Sequence, residues 1–180
     1  MTPTARRACS TLKRSALAFA FCLCLPSQLY ADDVVITDQT FDCILNWPKI
    51  RNTRIKHPDP QGLETAMRIF RDSVADQDYP VGTILQLVPF EAMVKHSREA
   101  FPKTRGWEFF ALDVSSSGTK IHDRGDNVVN VAQGLPCFAC HSPALHYDFV
   151  CEKGHGCAPI PFDDQQIAAI QNADPRCVRK

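Results

Sequence analysis

The residues Cys137, Cys140 and His141 stand in the order C-x-x-C-H, with Phe138 and Ala139 between the two cysteines. Two thiols separated by two residues can add to the two vinyl groups on one side of a haem, and the adjacent imidazole then reaches the iron. We therefore expect one covalent haem c, attached through Cys137 and Cys140, with His141 as an iron ligand.

Two other uses of a C-x-x-C spacing are a dithiol redox site and part of a zinc site. Neither requires a histidine directly after the second cysteine. The strand-helix-strand pattern of thioredoxin-like proteins does not surround this motif either. Haem attachment is therefore the interpretation that uses all three residues.

The first 31 residues have the pattern of a secretory signal peptide: a basic start, an apolar run over residues 15–25, and Ala31 before two aspartates. We expect cleavage after Ala31, export to the periplasm, and a mature haem domain of residues 32–180. A retained anchor is disfavoured because the run is shorter than the roughly 20 residues that span a bilayer. A lipid anchor on Cys22 is disfavoured by bulky Phe21 before it.

The mature chain is slightly acidic. Loss of residues 1–31 removes four basic and no acidic residues from totals of 20 and 20, which leaves a net charge of about −4. Because the mature chain has no excess of basic residues that could bind phosphates, we expect no nucleic-acid partner.

Six cysteines remain after the signal segment, and a haem would use two of them. The other four allow three pairings, and an oxidising compartment permits disulfides. The short loop between Cys151 and Cys157 favours pairing those two, which leaves Cys43 with Cys177. Zinc binding by these cysteines beside His155 is the alternative.

The clearest helix signal begins at Asp59, which can cap a helix with Pro60 in its first position. Apolar residues then recur at helical spacing through Val74. The other expected elements are strands at 34–37, 52–57, 81–88, 107–114 and 119–122, a helical turn at 41–47, and helices at 91–100, at 138–146 and after Asp163 or Asp164. We predict a single α+β domain, mainly an antiparallel β-sheet with flanking helices.

The residue on the other side of the iron decides what such a haem does. A histidine or methionine there makes an electron carrier, whereas an open or weakly filled position lets the iron bind small molecules. The spacing singles out no sixth ligand. The candidates are Met67, Met93, His57, His96, His122, His146 and His155.

The chain resembles the cytochrome P-460 and cytochrome c-prime-beta family over roughly residues 50–150. The matching pieces are Val81-Gly82-Thr83-Ile84-Leu85-Gln86-Leu87, Gly106-Trp107-Glu108-Phe109-Phe110, the C-x-x-C-H motif and Asp148-Phe149-Val150. The resemblance implies a mainly antiparallel β fold, often a homodimer, with a five-coordinate haem and a small distal pocket.

The same resemblance bears on the distal residues. One branch of the family cross-links a lysine to the haem and oxidises hydroxylamine, but Leu87 stands at that position and Lys95, the nearest lysine, does not fit it. An apolar residue there resembles the c-prime-beta branch, which binds nitric oxide or carbon monoxide. The family's strand arginine corresponds to Arg54, which is either a distal donor to a bound ligand or a solvent-facing side chain.

Three functions stay open at this point. The first is a periplasmic monohaem protein whose open or apolar distal pocket binds a gaseous or nitrogen-oxide ligand. The second is an oxidoreductase acting on hydroxylamine, nitric oxide or peroxide, with Arg54 and either Glu91 or Glu108 assisting proton transfer. The third is an electron carrier with a six-coordinate haem and a periplasmic redox partner.

Overall fold

The computed structural model describes residues 34–130 and 134–177, so the predicted signal peptide at residues 1–31 lies outside the described residues. The strands are β1 (Lys49–Ile50), β2 (Thr53–Lys56), β3 (Ile84–Gln86), β4 (Glu91–Lys95), β5 (Trp107–Ser115) and β6 (Gly118–Gly125). The helices are α1 (Pro60–Asp72), α2 (Cys137–His141) and α3 (Asp164–Asn172), with short 3₁₀ turns at Asp38–Thr40, Ile44–Asn46, Pro102–Thr104 and Ser142–Tyr147. None of these described helices is long and apolar enough to cross a membrane.

The strands form one sheet in the order β1-β2-β3-β4-β5-β6, and each pair of neighbours is antiparallel. The register shifts between Ala111 and Leu112, where a bulge increases the local twist of the long β5-β6 hairpin. This sheet, with its helices before and after the central strands, confirms the predicted α+β domain.

Successive side chains of a strand lie on opposite faces, so the sheet has two faces with different coverings. What we call the motif face carries Ile55, Leu85, Met93, Trp107, Phe109 and Ala111. The opposite face carries Ile84, Ala92, Val94, Phe110 and Leu112.

Different segments of the chain cover these two faces. Helix α1 packs on the motif face through Ala66, Ile69 and Phe70, and Phe149 with the partly buried Cys137 and Phe138 joins the same cluster. The segment before β1 packs on the opposite face through Ile36, Phe41 and Trp47. The C-x-x-C-H segment therefore belongs to one side of the sheet only.

Helix α1 forms where the sequence predicts it. The carboxylate of Asp59 accepts a hydrogen bond from the backbone N–H of Gly62 at 2.6 Å, and Pro60 occupies the first helical position. The helix ends at Ser73, which takes a left-handed φ of 49°. The predicted C-terminal helix is confirmed as well, with Asp163 as its cap.

The helix predicted at 91–100 is wrong, because Glu91–Lys95 is strand β4. Glutamate, alanine, methionine and lysine favour helices, but only by about 0.7 kcal/mol per residue or less. In the sheet, Met93 pairs opposite Phe109 and the side chains at 92–95 are buried. This burial outweighs the local preference. The strand predicted at 34–37 is also wrong, since these residues join no strand.

The two predicted disulfides are confirmed: Cys43 is bonded to Cys177, and Cys151 is bonded to Cys157. The first joins two positions 134 residues apart and ties the segment that covers the opposite face to the C-terminal end. The second closes a loop of six residues. Because Cys151 and Cys157 are oxidised to each other, they are not available as zinc ligands.

Candidate haem site

The C-x-x-C-H motif forms helix α2, so Cys137 and Cys140 lie three positions apart on the same side of one helical turn. Both thiols are partly buried and unpaired, whereas the other four cysteines of the described part of the chain form the two disulfides. This division leaves two adjacent thiols, which is the number that attachment to two vinyl groups requires.

The imidazole of His141 is held from one side. Its Nδ1 lies 2.8 Å from the carbonyl oxygen of Phe149, and because a carbonyl can only accept, Nδ1 carries the proton. The lone pair is then on Nε2. Burial lowers the pKa of His141, although the bond to Phe149 acts in the other direction. A neutral imidazole with its lone pair on Nε2 is the form that binds a metal.

One aromatic ring contacts this imidazole, and two more lie beside the motif. The ring centroid of Phe109 lies 5.1 Å from that of His141, and Phe138 meets Phe149 edge to face at 5.0 Å. Phe109 stands on strand β5 and is almost fully buried in the motif face. The chain therefore offers an apolar setting beside a nitrogen ligand, in keeping with the requirements of a haem.

The thiol of Cys137 is not activated for redox chemistry. Burial raises its pKa to about 12, and the nearby carboxylate of Glu91 acts in the same direction. Dithiol redox sites do the reverse, since they lower the pKa of the attacking cysteine so that it is a thiolate. The environment of Cys137 therefore disfavours the dithiol interpretation of the motif.

The Cys151–Cys157 loop packs against the segment that follows the motif. The Sγ of Cys151 lies 3.6 Å from the carbonyl oxygen of Cys140. His155 stacks on Tyr147 with ring centroids 3.6 Å apart and hydrogen-bonds the carbonyl of Val150 through Nδ1 at 2.8 Å. Within the described residues, no three His, Cys, Asp or Glu side chains are grouped to hold a metal ion by themselves.

Lys95 is fully engaged elsewhere. Its ammonium is buried, 2.7 and 2.8 Å from the two carboxylate oxygens of Asp148 and 2.7 Å from the carbonyl oxygen of Arg105. These contacts use its three protons. Lys95 therefore has no free amine for the haem cross-link that the resemblance raised.

The structure does not bring Arg54 to the motif. Ile55 belongs to the motif face, so its neighbour Arg54 lies on the opposite face. There its Nε donates to the side chain of Gln171 at 2.9 Å and its Nη1 donates to the carbonyl of Trp47 at 3.0 Å. These bonds tie helix α3 and the segment before β1 to strand β2, on the face of the sheet away from the motif.

Leu87 and the two glutamates have different positions. Leu87 directly follows β3 and is partly buried, and its backbone carbonyl accepts a hydrogen bond from the side chain of Gln171 at 2.8 Å. Glu91 acts electrostatically on Cys137 and accepts a hydrogen bond from Asn130 at 2.8 Å, so it lies near the motif. Glu108 lies on the opposite face and is bonded to Arg124.

The candidate sixth ligands fall into two groups. Five histidines have partners of their own: His57 contacts the carbonyl of Val81, His96 contacts Glu108, His122 contacts Asp113, His146 contacts Asp76, and His155 contacts Val150. By contrast, Met67 and Met93 both pack in the cluster that includes Cys137 and Phe138. A methionine is thus closer to the motif than the sequence indicated.

Sequence reasoning missed the partner of His141. The carbonyl of Phe149 belongs to a turn in which Asp148 and Phe149 both have positive φ, at 51° and 61°. Neither residue is glycine or asparagine, so no local signal announced this turn. The resemblance had marked Asp148-Phe149-Val150 without assigning a role.

Comparisons of the chain with protein-family models, with curated proteins and with solved structures gave no match.

Proposed function

We propose that the chain is an exported monohaem c-type cytochrome with an open or apolar distal side that binds a small ligand such as nitric oxide or carbon monoxide. The observation that carries this proposal is that two free thiols lie on α2 beside a neutral His141. The Nε2 lone pair of His141 is available because its Nδ1 is hydrogen-bonded to the carbonyl of Phe149. These are the donors that a covalent haem uses.

Each residue has a defined task in this proposal. Cys137 and Cys140 carry the thioether bonds, and His141 gives Nε2 to the iron. The carbonyl of Phe149 keeps the proton on Nδ1 and fixes the ring orientation. When bound, the haem supplies the iron that takes up the diatomic ligand. The ring of Phe109 packs against the imidazole, and the ring of Phe138 packs on Phe109.

Two features support an open rather than a filled sixth position. The described histidines other than His141 each have a partner within the protein, as detailed above. Leu87, which the resemblance places on the distal side, is apolar and cannot bind iron. Periplasmic location, a redox partner and a homodimer remain parts of the same proposal.

The first experiment tests the covalent bond. The mature chain is produced with haem-maturation machinery, denatured, and stained for haem on a gel. We expect haem to stay with the wild-type chain and to be lost or reduced in Cys137→Ala and Cys140→Ala. The matched control is Cys151→Ala with Cys157→Ala, which removes two cysteines of the same region and should keep the haem. Haem that leaves the wild-type chain in denaturing acid would refute the proposal.

The second experiment tests the open position. Absorption spectra are recorded for the oxidised protein, the reduced protein, and the reduced protein with carbon monoxide or nitric oxide. We expect a high-spin ferrous spectrum that shifts with either gas. A sharp low-spin spectrum that neither gas changes would remove the ligand-binding function.

An electron carrier is the second candidate, because Met67 and Met93 share the cluster that holds Cys137. Replacing each by leucine keeps the volume while removing the sulfur. A change from low-spin to high-spin in one of these variants would identify the sixth ligand and favour electron transfer. Unchanged spectra in both would exclude a methionine ligand.

A further inference from the structure

The turn that holds His141 has an unfavourable backbone conformation. Asp148 and Phe149 are consecutive non-glycine residues in the left-handed region, with φ of 51° and 61°. Aspartate tolerates this region better than most residues, but a bulky residue such as Phe149 is disfavoured there because Cβ approaches the following carbonyl, so the turn persists only when its surroundings hold it. Its effect is to direct the carbonyl of Phe149 at Nδ1 of His141.

The contacts of Asp148 show what holds the turn. The two carboxylate oxygens of Asp148 accept hydrogen bonds from the ammonium of Lys95 at 2.7 and 2.8 Å. The carboxylate also accepts a bond from the backbone N–H of Tyr79 at 2.9 Å. The backbone carbonyl of Asp148 accepts from Nε1 of Trp107 at 2.6 Å. The side chains of Lys95 and Asp148 are 2% and 1% exposed.

We propose that the buried Lys95–Asp148 pair positions the axial histidine. The pair fixes the turn that contains Phe149, and the Phe149 carbonyl in turn orients His141 and strengthens the bond between His141 and iron. This inference rests on the proposed function. The hydrogen bonds of this pair run to Arg105, Tyr79 and Trp107 rather than to the C-x-x-C-H residues, so Lys95 and Asp148 are positioning residues that act through Phe149.

A purely structural role explains this pair less well. Replacing a buried ion pair by apolar residues of similar size is often neutral or stabilising, so burying two charges is not needed to fill space. The bonds from Lys95, Tyr79 and Trp107 arrive from three separate segments and all end on Asp148. They therefore fix one residue in space, which is the one before the carbonyl that His141 uses.

The predicted effect on the iron follows from the Nδ1 hydrogen bond. A strong bond at Nδ1 makes Nε2 a better electron donor, which stabilises ferric over ferrous iron. Loosening the turn should weaken the iron–histidine bond and raise the midpoint potential. We expect the ferrous-to-ferric ratio at fixed potential to rise at least threefold, which is about 28 mV at 59 mV per tenfold for one electron.

The test uses Asp148→Asn and Lys95→Met in the full haem-loaded protein. The readouts are the iron–histidine stretching frequency by resonance Raman spectroscopy and the midpoint potential. The double variant Asp148→Asn with Lys95→Met removes both charges. It therefore distinguishes the effect of leaving one buried charge without a partner from the effect of losing the positioning of His141. It should regain stability while its potential stays raised.

Asp174→Asn is the matched control. The Asp174 carboxylate is equally buried, pairs with Arg176 at 2.7 Å and accepts from the backbone N–H of Ile44 at 3.0 Å, but it belongs to the C-terminal end of the chain. Its loss should lower stability and leave the stretching frequency and the potential unchanged.

The outcomes separate this inference from the proposed function. If the wild-type chain holds covalent haem and the variants at 148 and 95 leave both readouts unchanged, the positioning role is wrong and the proposed function stands. Equal shifts in Asp174→Asn would also overturn it, because the effect would then be general destabilisation. A wild-type chain without covalent haem would overturn both. If Asp148→Asn does not fold, Lys95→Met carries the test by itself.

Discussion

The two disulfides should contribute very differently to stability, because they close loops of different length. In the chain-entropy treatment, a cross-link stabilises the fold by restricting the unfolded chain, and its contribution grows with the logarithm of the loop. Cys43–Cys177 spans 134 residues and Cys151–Cys157 spans six. The same treatment gives roughly 5 kcal/mol for the long loop and roughly 2 kcal/mol for the short one.

The assay is urea unfolding of two double variants, Cys43→Ser with Cys177→Ser and Cys151→Ser with Cys157→Ser. At an m-value of about 2 kcal/mol/M, the first pair should lower the unfolding midpoint by about 2.5 M and the second by about 1 M. Serine nearly matches cysteine in size, so cavity effects stay small. Both variants should retain covalent haem, since neither touches the motif thiols.

A reversed order of the two losses would refute this reasoning. A loss below about 1 kcal/mol for the long loop would do the same, because it would mean that the unfolded chain already holds these segments together. Loss of haem from either variant would contradict the assignment of cysteines on which the site depends.

Three further predictions concern named side chains. Burial alone would raise the pKa of Glu108, but hydrogen bonds from His96 and Arg124 lower it below the usual value. Its carboxylate therefore stabilises the fold above about pH 4 and this contribution is lost as the pH falls through the lowered pKa. Glu108→Gln should cost about 2–3 kcal/mol at pH 7 by urea unfolding and progressively less as the pH falls through the lowered pKa, and a cost that does not decline with acidification would contradict the sign. Phe109→Ala should cost about 3–5 kcal/mol and broaden the haem spectrum, with Phe109→Leu as the milder control. Asp59→Ala should cost about 1 kcal/mol by loss of the cap and leave the spectrum unchanged.

Local signals predicted the parts of the fold that depend on local interactions. Asp59 and Pro60 marked the start of α1, and Cys151 with Cys157 marked a short bridged loop. The prediction failed at Glu91–Lys95, where residues that favour a helix form a strand because their neighbours in the sheet come from elsewhere in the chain. Pairing between distant segments carries no local signature.

The candidate site divides in the same way. Cys137, Cys140 and His141 lie within five consecutive residues, so their spacing alone was enough to predict haem attachment. The Phe149 carbonyl depends on contact between Lys95 and Asp148, which are 53 residues apart in sequence. The resemblance left Arg54 either as a distal donor or as a solvent-facing side chain, and alternation along β2 from the buried Ile55 places it on the face opposite the motif.

The position of Cys151 has a consequence for how the protein is assembled. Its sulfur lies 3.6 Å from the backbone of Cys140, so an oxidant acting on a half-folded chain would find a wrong partner close at hand. If the chain binds haem as proposed, closing Cys151–Cys157 first would remove that competitor before haem attachment. On the proposed function, the yield of correctly assembled protein would then depend on the order of disulfide formation and haem attachment.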